Sequence, residues 1–377
     1  MSAITSFEIM NVERLCSATV GAFVGVVVAS TPVVAHVDYV TQGNGSGPDV
    51  VDFLVAVLSD PLNLALLVAG GVGVTVATLG WLRYGDHLAD VTVTRRTLRS
   101  YQPYLGWLLR LATGLPLMGA GFGGYFFSPV VSVEARLVQI TLAFLLLFGL
   151  ATRLAALAGL LTYAAGLVTH FPTLLLSSEY VAGFLGILVV GPGQPSADLL
   201  LRRLVLTDDT IMSRFRGVTT VSDLLSGLGV EKSVAPLLIR VFLGFNFVYL
   251  GVTEKWLDPG RALQVVEKYD LTAVAPISPE MWVFGAGLGE LAVGLLILTG
   301  LFTRSAAGAG FLILTTTLFG LPDDPVLAHV TLFGLTSALL ITGSGPLALD
   351  RTVVPALRAR IGRTPTDADA EVATTAD

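Results

Sequence analysis

The chain has 377 residues, 53% hydrophobic and only 13% charged, with a mean hydropathy of +0.77 and a formal net charge of −6. A charged fraction about half that of a soluble domain marks a polytopic membrane protein, and the negative charge is spread without a basic face, which excludes nucleic acid as a partner. One cysteine, Cys16, and four scattered histidines exclude an internal disulfide, a thiol redox pair and a metal centre of recognisable spacing.

A spanning helix needs about 20 apolar residues. The chain supplies about ten such runs, near 15–37, 61–82, 104–126, 135–151, 154–172, 179–195, 236–254, 281–301, 305–320 and 326–347. The expected fold is therefore all-α and multi-pass, in a cell membrane, with the lipid bilayer as its first partner. With the N-terminus inside, every Lys and Arg except Arg136, Lys255, Arg261 and Lys268 falls on the inner side, as cytoplasmic loops require. Trp81 and Trp107 then lie at inner helix ends, and Trp256 and Trp282 at outer ends, where an indole prefers the headgroups. Both termini are expected in the cytoplasm. Val33-Val34-Ala35 resembles a signal-peptidase site, but Glu8 and Glu13 spoil the basic leader that a signal peptide needs. Abundant Ala, Val, Thr and Asp with scarce Lys suits a prokaryotic source.

Comparison of the chain with itself reveals a second layer of organisation. Gly149, Thr152, Arg153, Ala155, Ala156, Ala158 and Gly159 match Gly300, Thr303, Arg304, Ala306, Ala307, Ala309 and Gly310 at a constant offset. Upstream, Arg110, Gly114 and Gly121 match Arg240, Gly244 and Gly251; downstream, GPGQPSAD matches GSGPLALD. The reading is two tandem four-helix units. Each has an even number of spans, so the repeats are parallel. The expected division is 1–100 (two N-terminal helices and a loop), 101–198 (first unit), 199–235 (linker), 236–350 (second unit) and 351–377 (acidic tail). Extra residues in the second copy form an outer loop, in which Asp258 is expected to cap a short helix starting at Pro259, which Pro276 and Pro279 are expected to end before Trp282.

The copies differ in charge. Glu254 and Lys255 stand where the first copy has Gly124 and Tyr125, and Glu290 stands where it has Gln139. Glu290 lies about eight residues in from Trp282, a depth of roughly 12 Å at 1.5 Å per residue. A carboxylate at that depth costs at least about 2.5 kcal/mol on insertion scales, which makes it a candidate catalytic group for proton exchange. The alternative is an inter-helix hydrogen bond, with Gln139 as its counterpart. Lys255, Glu254, Asn246, Tyr249, His329 and Arg240 are the candidate substrate-binding residues. Snorkelling accounts equally for Lys255 and Arg240. Arg240 is about 21 Å below Glu254 along a straight helix, too far to pair with it.

Arg240, Gly244, Gly251, Lys255, the run GELAVGLLILTGLFTR and the closing GSGPLALD make the second unit resemble the DoxX family of membrane proteins. The first unit resembles it more weakly, through GLATR and GPGQPSAD. The resemblance implies a four-helix membrane bundle and, from relatives of the DoxX and DoxD type, a role in thiosulfate-to-quinone or other membrane oxidoreductase chemistry. A quinone is the implied cofactor, with none bound covalently. With no haem or metal motif, electrons would come from a soluble or membrane oxidoreductase subunit as partner. The rival classes are a small-molecule or lipid carrier and a non-enzymatic assembly subunit.

Overall fold

The structure, a computed structural model, describes residues 47–218 and 231–361. The expected helix at 15–37, Cys16, the candidate cleavage site, part of the linker and most of the acidic tail lie outside the described residues. Within them the regular structure is helical apart from one isolated bridge between Phe126 and Ser128.

Helix α1 (Val50–Ser59) was not expected, because its ten residues are too short to register as a span. Its Phe53 and Val57 recur at helical spacing and pack, fully buried, on Ala262, Val266, Met281 and Val283 of the outer loop and second unit. Helix α2 (Pro61–Tyr84) starts at Pro61, with the Asp60 carboxylate accepting from the Leu62 and Asn63 amides. Its sides are largely exposed within the molecule, the pattern of a helix that meets lipid. The polar α3 (Ala89–Ser100) follows.

The first unit comprises α4 (Leu105–Gly123), α5 (Arg136–Phe148), α6 (Thr152–Thr169) and α7 (Glu179–Val190), followed by α8 (Ala197–Leu206). The second opens with α9 (Ala235–Leu250), which continues as a π-helical turn over Gly251–Trp256. The outer loop holds α10 (Pro259–Lys268) and the single turn α11 (Leu271–Val274). Helices α12 (Pro279–Thr299), α13 (Thr303–Gly320), α14 (Val326–Thr342) and α15 (Leu349–Ile361) complete the described chain. Five segments are long and apolar enough to cross a membrane: Pro61–Tyr84, Gln102–Gly123, Thr152–Thr169, Lys232–Trp256 and Pro279–Thr299. The apolar α5, α7 and α14 are shorter, at 13, 12 and 17 residues.

Each unit folds on itself in the order of its helices, and the two share one core. α4 packs against α14, α7 against α9, and α7 meets α14. Each unit thus lays its first helix against the other's last. Thr331 fastens one of these seams by donating to Ala112 O at 3.0 Å.

Two outer-loop expectations need correction. Asp258 does not cap α10. Its Oδ2 pairs instead with Arg261 Nε one turn along, at 3.1 Å, which draws the carboxylate away from the helix end. The prolines do not end the loop helix, which stops at Lys268; Pro279 opens α12, where Ser278 Oγ accepts from the Met281 amide at 3.2 Å.

Candidate functional site

The arginine-rich ends of the two units are built alike. Arg110 and Arg240 are almost wholly buried, at 1% and 0% exposure. Arg110 Nη2 donates to Pro195 O, and Arg240 Nη2 donates to Pro346 O at 2.9 Å. Asp198 accepts from the Ala151 and Thr152 amides, and Asp350 from those of Phe302 and Thr303. Gly149 and Gly300 have φ of +66° and +68°, and a Cβ on either would overlap the guanidinium beside it. Each arginine therefore clamps the loop after the fourth helix onto the turn before the third. This places Arg240 at the far end of the bundle from Glu290, in a structural post rather than with the other candidate ligands.

At the opposite end the two units diverge. α4 stops at Gly124, whose φ of +77° turns the chain out of the helix. α9 carries on through its π-helical turn, where Leu257 N–H bonds Val252 O five residues back at 2.9 Å. Such turns are rare and concentrate at functional sites. α9 and α12 approach closely enough that a Cβ on Gly244, Gly251, Gly287 or Gly294 would fall within 3 Å of the facing helix. That contact sets Lys255 Nζ 3.0 Å from Glu290 Oε2, with 22% and 14% of the two side chains exposed. Glu254 is buried at 4% and, with Asp324, lies close enough for its charge to act on Lys255; Glu254 and His329 act likewise on Glu290. His329 Nε2 is 3.4 Å from Asp324 Oδ2.

The site is thus an ion pair ringed by three further titratable groups, contributed by α9, α12 and the start of α14. Beside it Trp256 stacks on Phe284, with centroids 5.3 Å apart, and donates to Phe284 O at 3.3 Å. Asp324 Oδ1 is buried without a hydrogen-bond partner among the described residues. The donor set of an ammonium and an imidazole, with carboxylates alongside, fits a ligand that presents carbonyl or hydroxyl oxygens and exchanges protons.

Asn246 and Tyr249 do not join this group. Asn246 Nδ2 donates to Leu176 O at 2.7 Å and to Glu179 Oε2 at 3.1 Å, across the seam to the first unit. Tyr249 is fully buried, stacks on Phe245 and packs with Leu176 on the same side. The two residues lie on the face of α9 turned from α12, which hydropathy alone does not distinguish. Sequence reasoning missed two acidic partners, Asp324 in the site and Glu179 at the seam behind Asn246. Glu179 is the one carboxylate heading the apolar run of α7, a signal as visible as Glu290. Asp324 was hidden among the prolines and acids before α14.

The DoxX family model matches residues 235–323, from the start of α9 to just past the end of α13. This stretch is similar to the DoxX family of membrane proteins, and it contains Arg240, Asn246, Tyr249, Glu254, Lys255 and Glu290 but not His329. Neither a curated protein nor a solved structure matches the chain.

Proposed function

We propose that this protein is a DoxX-type subunit of the cell membrane whose second unit takes a quinone-sized head group and exchanges protons with it through Glu290. The single observation that supports this is the Lys255–Glu290 pair at 3.0 Å, held at the π-helical turn beside Glu254, Asp324 and His329. A bound quinone would supply the two-electron, two-proton couple. Glu290 accepts or returns a proton at a head-group oxygen, Lys255 keeps the carboxylate in place, and His329 donates to the second oxygen with Asp324 behind it. Electrons pass to or from a partner oxidoreductase subunit. The chain is read as ten spans with both termini cytoplasmic, arisen by tandem duplication. The paired arginine clamps support a duplication, and the first unit is the structural copy.

Trp256 adjoins the ion pair, so it reports on occupancy. Short-chain quinone analogues added to purified full-length protein should quench its fluorescence and raise the melting temperature. Glu290→Gln should weaken that response by about tenfold, the equivalent of one charge-assisted contact. A wild-type protein that responds to no quinone would sink the proposal.

A further inference from the structure

At the arginine-rich end of the molecule, remote from Glu290, a cavity of about 590 Å³ opens between α3, the start of α13, the end of α14 and α15. Its size is that of an ordinary small-molecule pocket. Arg95, Arg99, Arg304, Arg351 and Arg358 line it, with Asp90 and Asp350 as its acidic residues. Asp350 is already committed, both oxygens accepting from the Phe302 and Thr303 amides. The wall therefore carries a surplus of positive charge in a chain whose net charge is −6.

Membrane topology explains why arginines gather at this end. It does not explain why five of them, from three helices far apart in sequence, line one cavity. Arg304 is held in place by its Nε and Nη2 donating to Leu340 O and Ile341 O, at 2.8 and 3.0 Å, and the like charges of Arg95 and Arg99 act on it. Like charges gathered on one wall disfavour one another, and a further anion bound beside Arg99, Arg304 and Arg351 would offset that repulsion. Thr303 also stands in the wall, with its own hydroxyl fully buried. Arginine forks match phosphate oxygens in pairs, which a point cation does not.

We infer that this cavity is a binding site for a phosphate-bearing anion, either the headgroup of an anionic lipid or a free phosphoanion. The site is independent of the proposed quinone chemistry. Trp81 lines it and is its natural reporter.

The test uses full-length protein, with Trp81→Phe as the spectroscopic blank. One arm titrates inorganic pyrophosphate into detergent-solubilised protein. The other compares phosphatidylcholine nanodiscs with nanodiscs containing phosphatidylglycerol. A saturable, Trp81-dependent change is expected in at least one arm. The exposed pair Arg99→Gln and Arg351→Gln should weaken it by about tenfold, whereas Arg203→Gln, outside the cavity wall, should leave it within about twofold. A response to pyrophosphate assigns a soluble phosphoanion, and a response to phosphatidylglycerol alone assigns a lipid headgroup. The inference is overturned by no saturable response in either arm, by an equal response to chloride, or by a response indifferent to the double substitution.

Discussion

Gln139 and Glu290 occupy matching places in the two units and do different work. Gln139 is fully buried, and with its amide suitably turned Nε2 donates to Tyr125 O at 3.1 Å while Oε1 accepts from Phe127 N–H at 3.3 Å. It ties down the chain after α4 has ended at Gly124. Glu290 reaches the same position along the partner helix and meets the Lys255 ammonium instead of a backbone carbonyl. One unit satisfies its polar side chain with neutral hydrogen bonds, and the other with charge. A buried ion pair gains little stability over a neutral substitute and is costly to break. Its presence in only one unit is a difference that folding alone does not require.

The clamps are where the units should behave alike. Gly300→Ala and Gly149→Ala each force a Cβ into a guanidinium at a left-handed backbone position, and each should destabilise by about 4 kcal/mol or more. Melting curves and yield in detergent would show equal losses. A tolerant Gly149→Ala beside a lethal Gly300→Ala would break the likeness.

The ion pair is where they should part. Lys255→Met should cost about 2–3 kcal/mol, below the figure for a fully enclosed pair because both side chains keep some exposure. Glu290→Gln together with Lys255→Tyr copies the first unit and should recover most of that stability while abolishing the quinone response. A double variant no more stable than Lys255→Met would show that shape, not charge, separates the copies.

A smaller effect tests the seam between the units. Asn246→Ala removes the bonds to Leu176 O and Glu179 and should lower stability by about 1–2 kcal/mol, without changing quinone affinity beyond about twofold. A larger change in affinity would join Asn246 to the site after all.

The smallest effect lies in the outer loop. Lys268 Nζ and Tyr269 Oη both donate to Asp323 Oδ2, at 2.7 and 2.9 Å, and hold its carboxyl below the usual carboxylate range. The Asp323 bond pushes Lys268 above its ordinary value. The lowered Asp323 contributes above about pH 4 and fades as pH falls through its folded value. The raised Lys268 contributes below about pH 10 and fades as pH rises through its own. Asp323→Asn should flatten both edges of the melting-temperature profile. An unchanged profile would show the bridge to be idle.

Much of this was legible in the sequence because hydropathy and glycine spacing are properties of single helices. The five long apolar helices and the paired arginine and glycine positions all come from such local patterns. What hydropathy cannot encode is the direction in which a polar residue on an apolar helix faces. Asn246 and Lys255 lie on one helix and serve different neighbours. Asp258 looked like a cap until Arg261, three residues on, drew its carboxylate away. The partners of His329 and Asn246 come from the turn before α14 and the head of α7, so Asp324 and Glu179 could be joined to them only in three dimensions.

The π-helical turn at Gly251–Trp256 is in effect one surplus residue inside a helix. At 3.6 residues per turn, one residue is worth about 100° of rotation. Deleting a single codon among residues 251–253 would restore an ordinary helix, leave every charge in the protein, and swing the Lys255 ammonium more than a quarter turn from its carboxylate. The frame of the helix, as much as its chemistry, decides whether this end of the molecule is charged or mute.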